Sequence, residues 1–166
     1  MTSAATPGAT PGPVAIEVGA PVDGTVVGLA DVPDPVFAQQ LVGAGVAVQP
    51  PAGAGPTGVR APVAGTVVKA HPHAFIVLHP SGTGVLVHVG IDTVTLHGAG
   101  FTRHRAEGDE VAAGDVVVTF DPAAVRAGGL SAITPVVVLD SAPDSVPDLR
   151  TGYPVRAGEV LFRWPG

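Results

Sequence analysis

Cysteine is absent from the 166 residues. Disulfides, thiolate nucleophiles and Cys-ligated zinc are therefore excluded. Charge is sparse and skewed: 13% of residues are Asp, Glu, Lys or Arg, with 8 basic against 14 acidic and a net charge of −6. Without a basic cluster to neutralise phosphates, nucleic-acid binding is not expected. Aromatics make up only 4%. No apolar run approaches the roughly 20 residues of a spanning helix, so direct membrane insertion is not expected. The opening MTSAATPGATPGP has neither a basic start nor an apolar stretch and does not read as a signal peptide. A cytoplasmic location is the expectation.

What the chain has in quantity is glycine and proline, 23 and 18 residues, about a quarter of the total. Such a share borders on that of disordered chains. However, 46% of residues are apolar, dominated by Val and Ala, and mean hydropathy is +0.43. Short β-branched strands joined by Gly/Pro turns fit this mixture, whereas a helical bundle does not. Residues 1–13 are expected to form a disordered Thr/Pro/Gly/Ala tail, and residues 14–166 a single domain.

Two segments are repeated. Ala20-Pro21-Val22-Asp23-Gly24-Thr25-Val26-Val27 returns 41 residues later as Ala61-Pro62-Val63-Ala64-Gly65-Thr66-Val67-Val68. Gly108-Asp109-Glu110-Val111-Ala112-Ala113-Gly114-Asp115-Val116 returns 44 residues later as Gly152-Tyr153-Pro154-Val155-Arg156-Ala157-Gly158-Glu159-Val160. Two copies predict a duplicated antiparallel β-sandwich or barrel rather than a solenoid. Helical turns are expected at Val36–Val42 and at 121–128. In the second, Asp121 is the N-cap, Pro122 the first helical residue and Gly128 the left-handed stop.

Six histidines occur, and four of them, His71, His73, His79 and His88, fall within eighteen residues; His97 and His104 follow. The stretch predicts a hairpin with strands Ala74–Leu78 and Val85–Val89 and a turn at Pro80–Thr83. With His79 opposite Gly84, Phe75 faces His88 and His73 faces Gly90. His73 and His88 then share a face at diagonal positions, roughly 7–8 Å apart at the backbone. A slip of one residue would separate them. Two facing imidazoles can bind metal, act as acid and base, or let one nitrogen attack phosphorus while the other steadies the phosphate.

The motifs APVDGTVV, DVPDPVFA, APVAGTVV, HAF, VLVHVGIDTV, GAGF, EGDEVAAGD and TPVVV run from Ala20 to Val138, within a likeness that extends to about Trp164. Through them the chain resembles the glucose-type IIA component of the bacterial phosphoenolpyruvate-dependent sugar phosphotransferase system. The resemblance implies an all-β antiparallel sandwich with short helical turns, the duplicated hybrid motif, and no cofactor. It implies a phosphocarrier that accepts a phosphoryl group from the histidine phosphocarrier protein HPr. The group then passes to a cysteine on the IIB domain of a sugar permease. Carried over residue by residue, the phosphorylated histidine is His88, through Nε2, and the phosphate-stabilising histidine is His73. Asp34 and Asp92 match the flanking acids, and the Gly90 carbonyl would orient the His88 ring. Val36, Phe37, Val42 and Leu86 match the apolar collar against which partners dock. There are departures: His71, followed by Pro72, stands where many relatives have Thr, and Pro35 replaces an aliphatic residue.

The same residues leave other functional classes open. A zinc hydrolase could draw on His71-x-His73 and His88-x-x-x-Asp92, although in the metallopeptidases with such elements the chain order is reversed. A biotinyl- or lipoyl-type swinging arm needs a modified Lys in a hairpin turn, and the only lysine is Lys69, in Val68-Lys69-Ala70. A regulatory binding protein with its own targets is a third class and can coexist with phosphotransfer.

Overall fold

Valine alternation and Gly/Pro punctuation resolve, in the computed structural model, into thirteen short strands and two short helices; residues 15–165 are described. The expected tail, residues 1–13, lies outside the described residues. All strand pairings are antiparallel.

One sheet of eight strands dominates. From one edge it runs β12 (Pro154–Val155), β2 (Gly24–Gly28), β3 (Gly43–Gln49) and β11 (Thr134–Leu139), then β7 (Gly84–His88), β6 (Ala74–Leu78), β5 (Gly65–Ala70) and β9 (Glu110–Val111). A three-stranded sheet, β4 (Thr57–Arg60), β10 (Val116–Phe120) and β8 (Phe101–Arg103), supplies core residues Val59, Val117, Val118 and Phe120 opposite it. The pair β1 (Ile16–Gly19) and β13 (Val160–Trp164) adds Ile16, Val18, Leu161 and Phe162.

The sequence repeat appears as matching hydrogen bonds. In one half Val26 N–H donates to Tyr153 and Gly152 N–H to Val26, at 2.9 and 2.7 Å. In the other Val67 N–H donates to Asp109 and Gly108 N–H to Val67, at 2.9 and 2.7 Å. Thus β2–β12 at one end of the large sheet corresponds to β5–β9 at the other. The two Ala-Pro-Val segments also grip each other, with Gly19 N–H on the Pro62 carbonyl and Arg60 N–H on the Pro21 carbonyl. The duplicated sandwich expected from the repeats is the fold observed.

Both helices obey their caps. α1 covers Pro35–Ala38, shorter than the expected 36–42, with the Asp34 side chain accepting from Val36 N–H. α2 covers Pro122–Ala127, with Asp121 accepting from Ala123 N–H. Gly128 is not left-handed (φ −80), and Gly129 (φ +82) makes the reversal instead. The helix keeps its expected end at Ala127, and the left-handed reversal falls one residue later than expected.

Candidate functional site

Strand β7 alternates strictly. Val85 and Val87 enter the main core, while Gly84, Leu86 and His88 face the opposite side of the sheet. On that outer side a second apolar cluster gathers Leu29, Val32, Phe37, Ala47, Ile91, Ile133 and Val137, with Val27, Val42, Leu86 and Leu139 at its margin. The short α1 segment is pinned over the sheet by this cluster, and His88 lies at its rim.

After β7 the chain makes a tight, fully anchored loop. Val89 N–H donates to the His73 carbonyl (2.7 Å), Ile91 N–H to the Ser131 carbonyl (3.0 Å), and the buried Thr93 hydroxyl to the Val89 carbonyl (2.7 Å). Gly90 sits at φ +76, and a Cβ there would stand 2.6 Å from Thr93 Cγ2 and 2.9 Å from the Ser131 oxygen. Only glycine fits, and this conformation turns its carbonyl back to His88 Nδ1 at 2.6 Å. A carbonyl oxygen can only accept, so Nδ1 carries the hydrogen, and in the neutral ring Nε2 holds a free lone pair.

Burial pushes His88 below its ordinary value of 6.5, and the Gly90 hydrogen bond and the carboxylates of Asp34 and Asp92 oppose this only in part. His73 is also lowered, by burial first, then by His88 and His71. Both rings thus favour the neutral form near pH 7; a nucleophilic nitrogen requires this, and a neutral imidazole still keeps one N–H to donate. Asp34 is held at the rim by its capping bond to Val36 N–H, 2.8 Å. Asp92 is exposed at φ +60, and its side chain makes no cap hydrogen bond to the following turn.

His73 and His88 meet with ring centroids 5.5 Å apart at 69°. The expected register does not produce this meeting. The ladder pairs Ala74 with His88 and Leu78 with Gly84, one residue away from the expected alignment. The hairpin loop has three residues, Pro80-Ser81-Gly82, closed by His79 N–H on the Thr83 carbonyl, with Gly82 left-handed at φ +93. In a continued ladder this slip would put the two histidines on opposite faces. It does not, because β6 begins at Ala74 and His73 lies in the preceding turn, outside the alternation.

His71 is exposed yet stacked on His73, 5.5 Å between centroids and 21° between planes. Phe37 lies on the other side of His88, at 5.2 Å and 58°. Expected as docking surface, Phe37 is 6% exposed and covers the His88 ring instead, because α1 is folded down onto the second cluster. Val36 is 40% exposed and available to a partner, and Val42 and Leu86 are half-buried. Leu41 and Val94, 66% and 55% exposed, are further apolar surface that the motifs did not single out. Thr93 and Ser131, which fix the loop, were also missed; a Thr four residues after Val89 was the available signal for the first of them.

The remaining histidines are elsewhere. His79 Nδ1 accepts from Ser81 N–H in the hairpin loop, and His104 pairs with the Thr119 hydroxyl. Among the described residues no group of three or more His, Asp or Glu side chains converges to hold a metal, and the zinc-hydrolase reading has no support. Lys69 sits within β5 rather than in a turn, which disposes of the swinging arm. No helix among the described residues is long and apolar enough to cross a membrane.

Comparison with known proteins gives concordant matches. A family model described as phosphoenolpyruvate-dependent sugar phosphotransferase system, EIIA 1, matches residues 16–143. The glucose-specific EIIA component of Halalkalibacterium halodurans is 42% identical over 143 residues, covering 85% of this chain and 80% of that protein. That of Oceanobacillus iheyensis is 42% identical over 140 residues, 83% of this chain and 81% of the relative. The glucose-specific EIICBA component of Streptococcus pneumoniae is 50% identical over 123 residues, 73% of this chain but only 16% of that longer protein. Among solved structures, the glucose permease IIA from Mycoplasma capricolum superposes with a TM-score of 0.81 at 34% identity, covering 90% of this chain and 96% of that one.

Proposed function

This chain belongs to the EIIA 1 family of the phosphoenolpyruvate-dependent sugar phosphotransferase system, as a phosphocarrier; from that premise we propose that His88 is the residue that carries the phosphoryl group. The observation that carries the reading is the 2.6 Å contact between His88 Nδ1 and the Gly90 carbonyl, which leaves Nε2 without a hydrogen in a ring packed against that of His73.

The Nε2 lone pair attacks the phosphorus of a phosphohistidine on HPr. The new N–P bond forms as the donor's N–P bond breaks, and that electron pair returns to the donor imidazole. His88 keeps its Nδ1 hydrogen, so the phosphorylated ring is cationic. The Gly90 carbonyl and the nearby carboxylates of Asp34 and Asp92 offset this charge. His73 presents an N–H to the phosphoryl oxygens, and positioning of this kind is most of what phosphoryl transfer asks of a protein. Phe37 and the apolar cluster keep water from one side of the ring.

Onward transfer goes to a cysteine thiolate of a IIB domain. The Streptococcus pneumoniae relative, an EIICBA component, supports a IIB partner. The named relatives are glucose-specific, so glucose is the first sugar to test. Val36, exposed on α1, and Val42 and Leu86, at the margin of the outer cluster, form the docking collar.

The test is incubation with phosphoenolpyruvate, enzyme I and HPr, read by intact mass on wild type and His88→Ala. A single acid-labile phosphate on the wild type alone is expected. Phosphate on the His88→Ala protein would overturn the assignment.

A further inference from the structure

Four rings stand in a row, His71, His73, His88 and Phe37, with successive centroids 5.5, 5.5 and 5.2 Å apart. Phe37 is fixed by burial and His88 by its bond to Gly90. Among the described residues the His73 ring makes no hydrogen bond, so packing alone sets its orientation. One of its two ring neighbours is His71.

The backbone makes that neighbour dependable. Strand β5 ends at Ala70 and β6 begins at Ala74, leaving His71-Pro72-His73 as the turn. His71 N–H donates to the Ala74 carbonyl at 2.8 Å. Ala70 is gripped on both sides, its N–H by Glu107 Oε2 at 3.3 Å and its carbonyl by the Arg103 guanidinium at 2.8 Å. Pro72 fixes its own φ and packs near Gly98, where a Cβ would lie 3.5 Å from the Pro72 ring. The side chains on either side of Pro72 therefore project together.

We infer that His71 is a positioning residue for phosphoryl transfer: stacked on His73 across the Pro72 turn, it holds that ring edge-on to His88, where a phosphoryl group on Nε2 needs its donor. The inference rests on the phosphocarrier reading above. It assigns His71 no contact with the reacting atoms. The titratable groups facing His73 are His71 on its own turn and His88 from β7. Asp34 and Asp92 act on His88, and Glu107 and Arg103 bind the backbone at Ala70. Charge on His71 also opposes charge on His73.

The variants His71→Ala and His71→Phe separate ring from charge. In His71→Ala, transfer from phospho-His88 to a glucose-type IIB domain should slow about three- to tenfold, the range for losing one aromatic stacking contact. In His71→Phe the stack remains and transfer should stay near wild type. By NMR titration of the histidine ring protons, the His73 midpoint should rise toward 6.5 in His71→Ala. The inference fails if His71→Ala changes neither transfer nor the His73 titration, or if His71→Phe is as slow as His71→Ala. If the wild type takes no phosphate, the phosphocarrier site itself fails, and the titration still decides whether His71 governs His73.

Discussion

His88 Nδ1 stands 2.6 Å from the Gly90 carbonyl oxygen, and this contact decides which imidazole nitrogen is free to react. It exists because residue 90 is left-handed in a space that excludes a Cβ. Gly90→Ala should therefore destabilise the fold by about 1–3 kcal/mol and slow phosphoryl acceptance more than stability alone accounts for. Thermal unfolding and stopped-time intact mass measure the two. A variant that lost stability but accepted phosphate at the wild-type rate would show the contact to be dispensable.

The pH dependence has a definite sign. His88 is lowered below 6.5 in the fold, so its neutral form, the one the proposed role needs, persists as the solution becomes mildly acidic. The acid limb of the acceptance rate should have its midpoint below pH 6.5, and a midpoint above it would contradict the burial argument. The same shift bears on stability. His88 and His73 both bind protons more readily unfolded than folded. Their contribution is whole above about pH 6.5 and declines as pH falls from there toward the folded values. Chemical denaturation at pH 7.5 and 5.5 should show the loss, reduced in a His73→Gln, His88→Gln double variant.

Asp34 and Asp92 each hold the His88 value up against burial. Asp34→Asn keeps a competent helix cap and removes only the charge, so His88 should titrate lower and the phosphorylated ring should lose its phosphate sooner. Ring-proton titration and the half-life of the phosphate report these separately. An unchanged His88 midpoint in both Asp34→Asn and Asp92→Asn would remove the carboxylates from the mechanism.

The proposed collar divides by burial. Phe37→Ala removes a buried ring and should cost about 3–5 kcal/mol while loosening His88. Val36→Asp, at a 40% exposed position, should leave the melting temperature within a degree or two of wild type yet raise the KM for phospho-HPr. If Val36→Asp bound HPr normally, the docking face would have to be sought elsewhere.

Much of the architecture could be read in advance because it is local. Strand Ala74–Leu78 follows from its β-branched run and the Asp121 cap from its Asp-Pro pair, whereas the same pair at Asp34-Pro35 caps α1 where the turn was expected to begin only at Val36. The duplication followed from repeated Gly and Pro positions. The register of the histidine hairpin did not, because it turns on whether Gly82 takes a left-handed φ, which makes the loop three residues rather than four. The insertion of β11 between β3 and β7 was equally hidden, since it joins segments about fifty and ninety residues apart. So was the burial of Phe37, because the cluster beneath it draws Ile91 and Ile133 from two distant segments. The meeting of His73 and His88 was expected on a ladder and is found in a turn. Pattern identified the pair, and tertiary structure supplied the reason.

The first and last strands pair with each other, Ile16 against Trp164, and β12 closes the sheet against β2 from more than a hundred residues away. Strand β11, which separates the two halves of the large sheet, also arrives late in the chain. Synthesis from the N-terminus therefore offers few completed sheet edges until residues 134–164 have left the ribosome. Folding must wait for these distant partners, which points to slow, high-contact-order kinetics and to strand edges that stay unpaired meanwhile. The histidine hairpin can form early, but its second flank and the Ser131 carbonyl that steadies its loop come only with the final third of the chain.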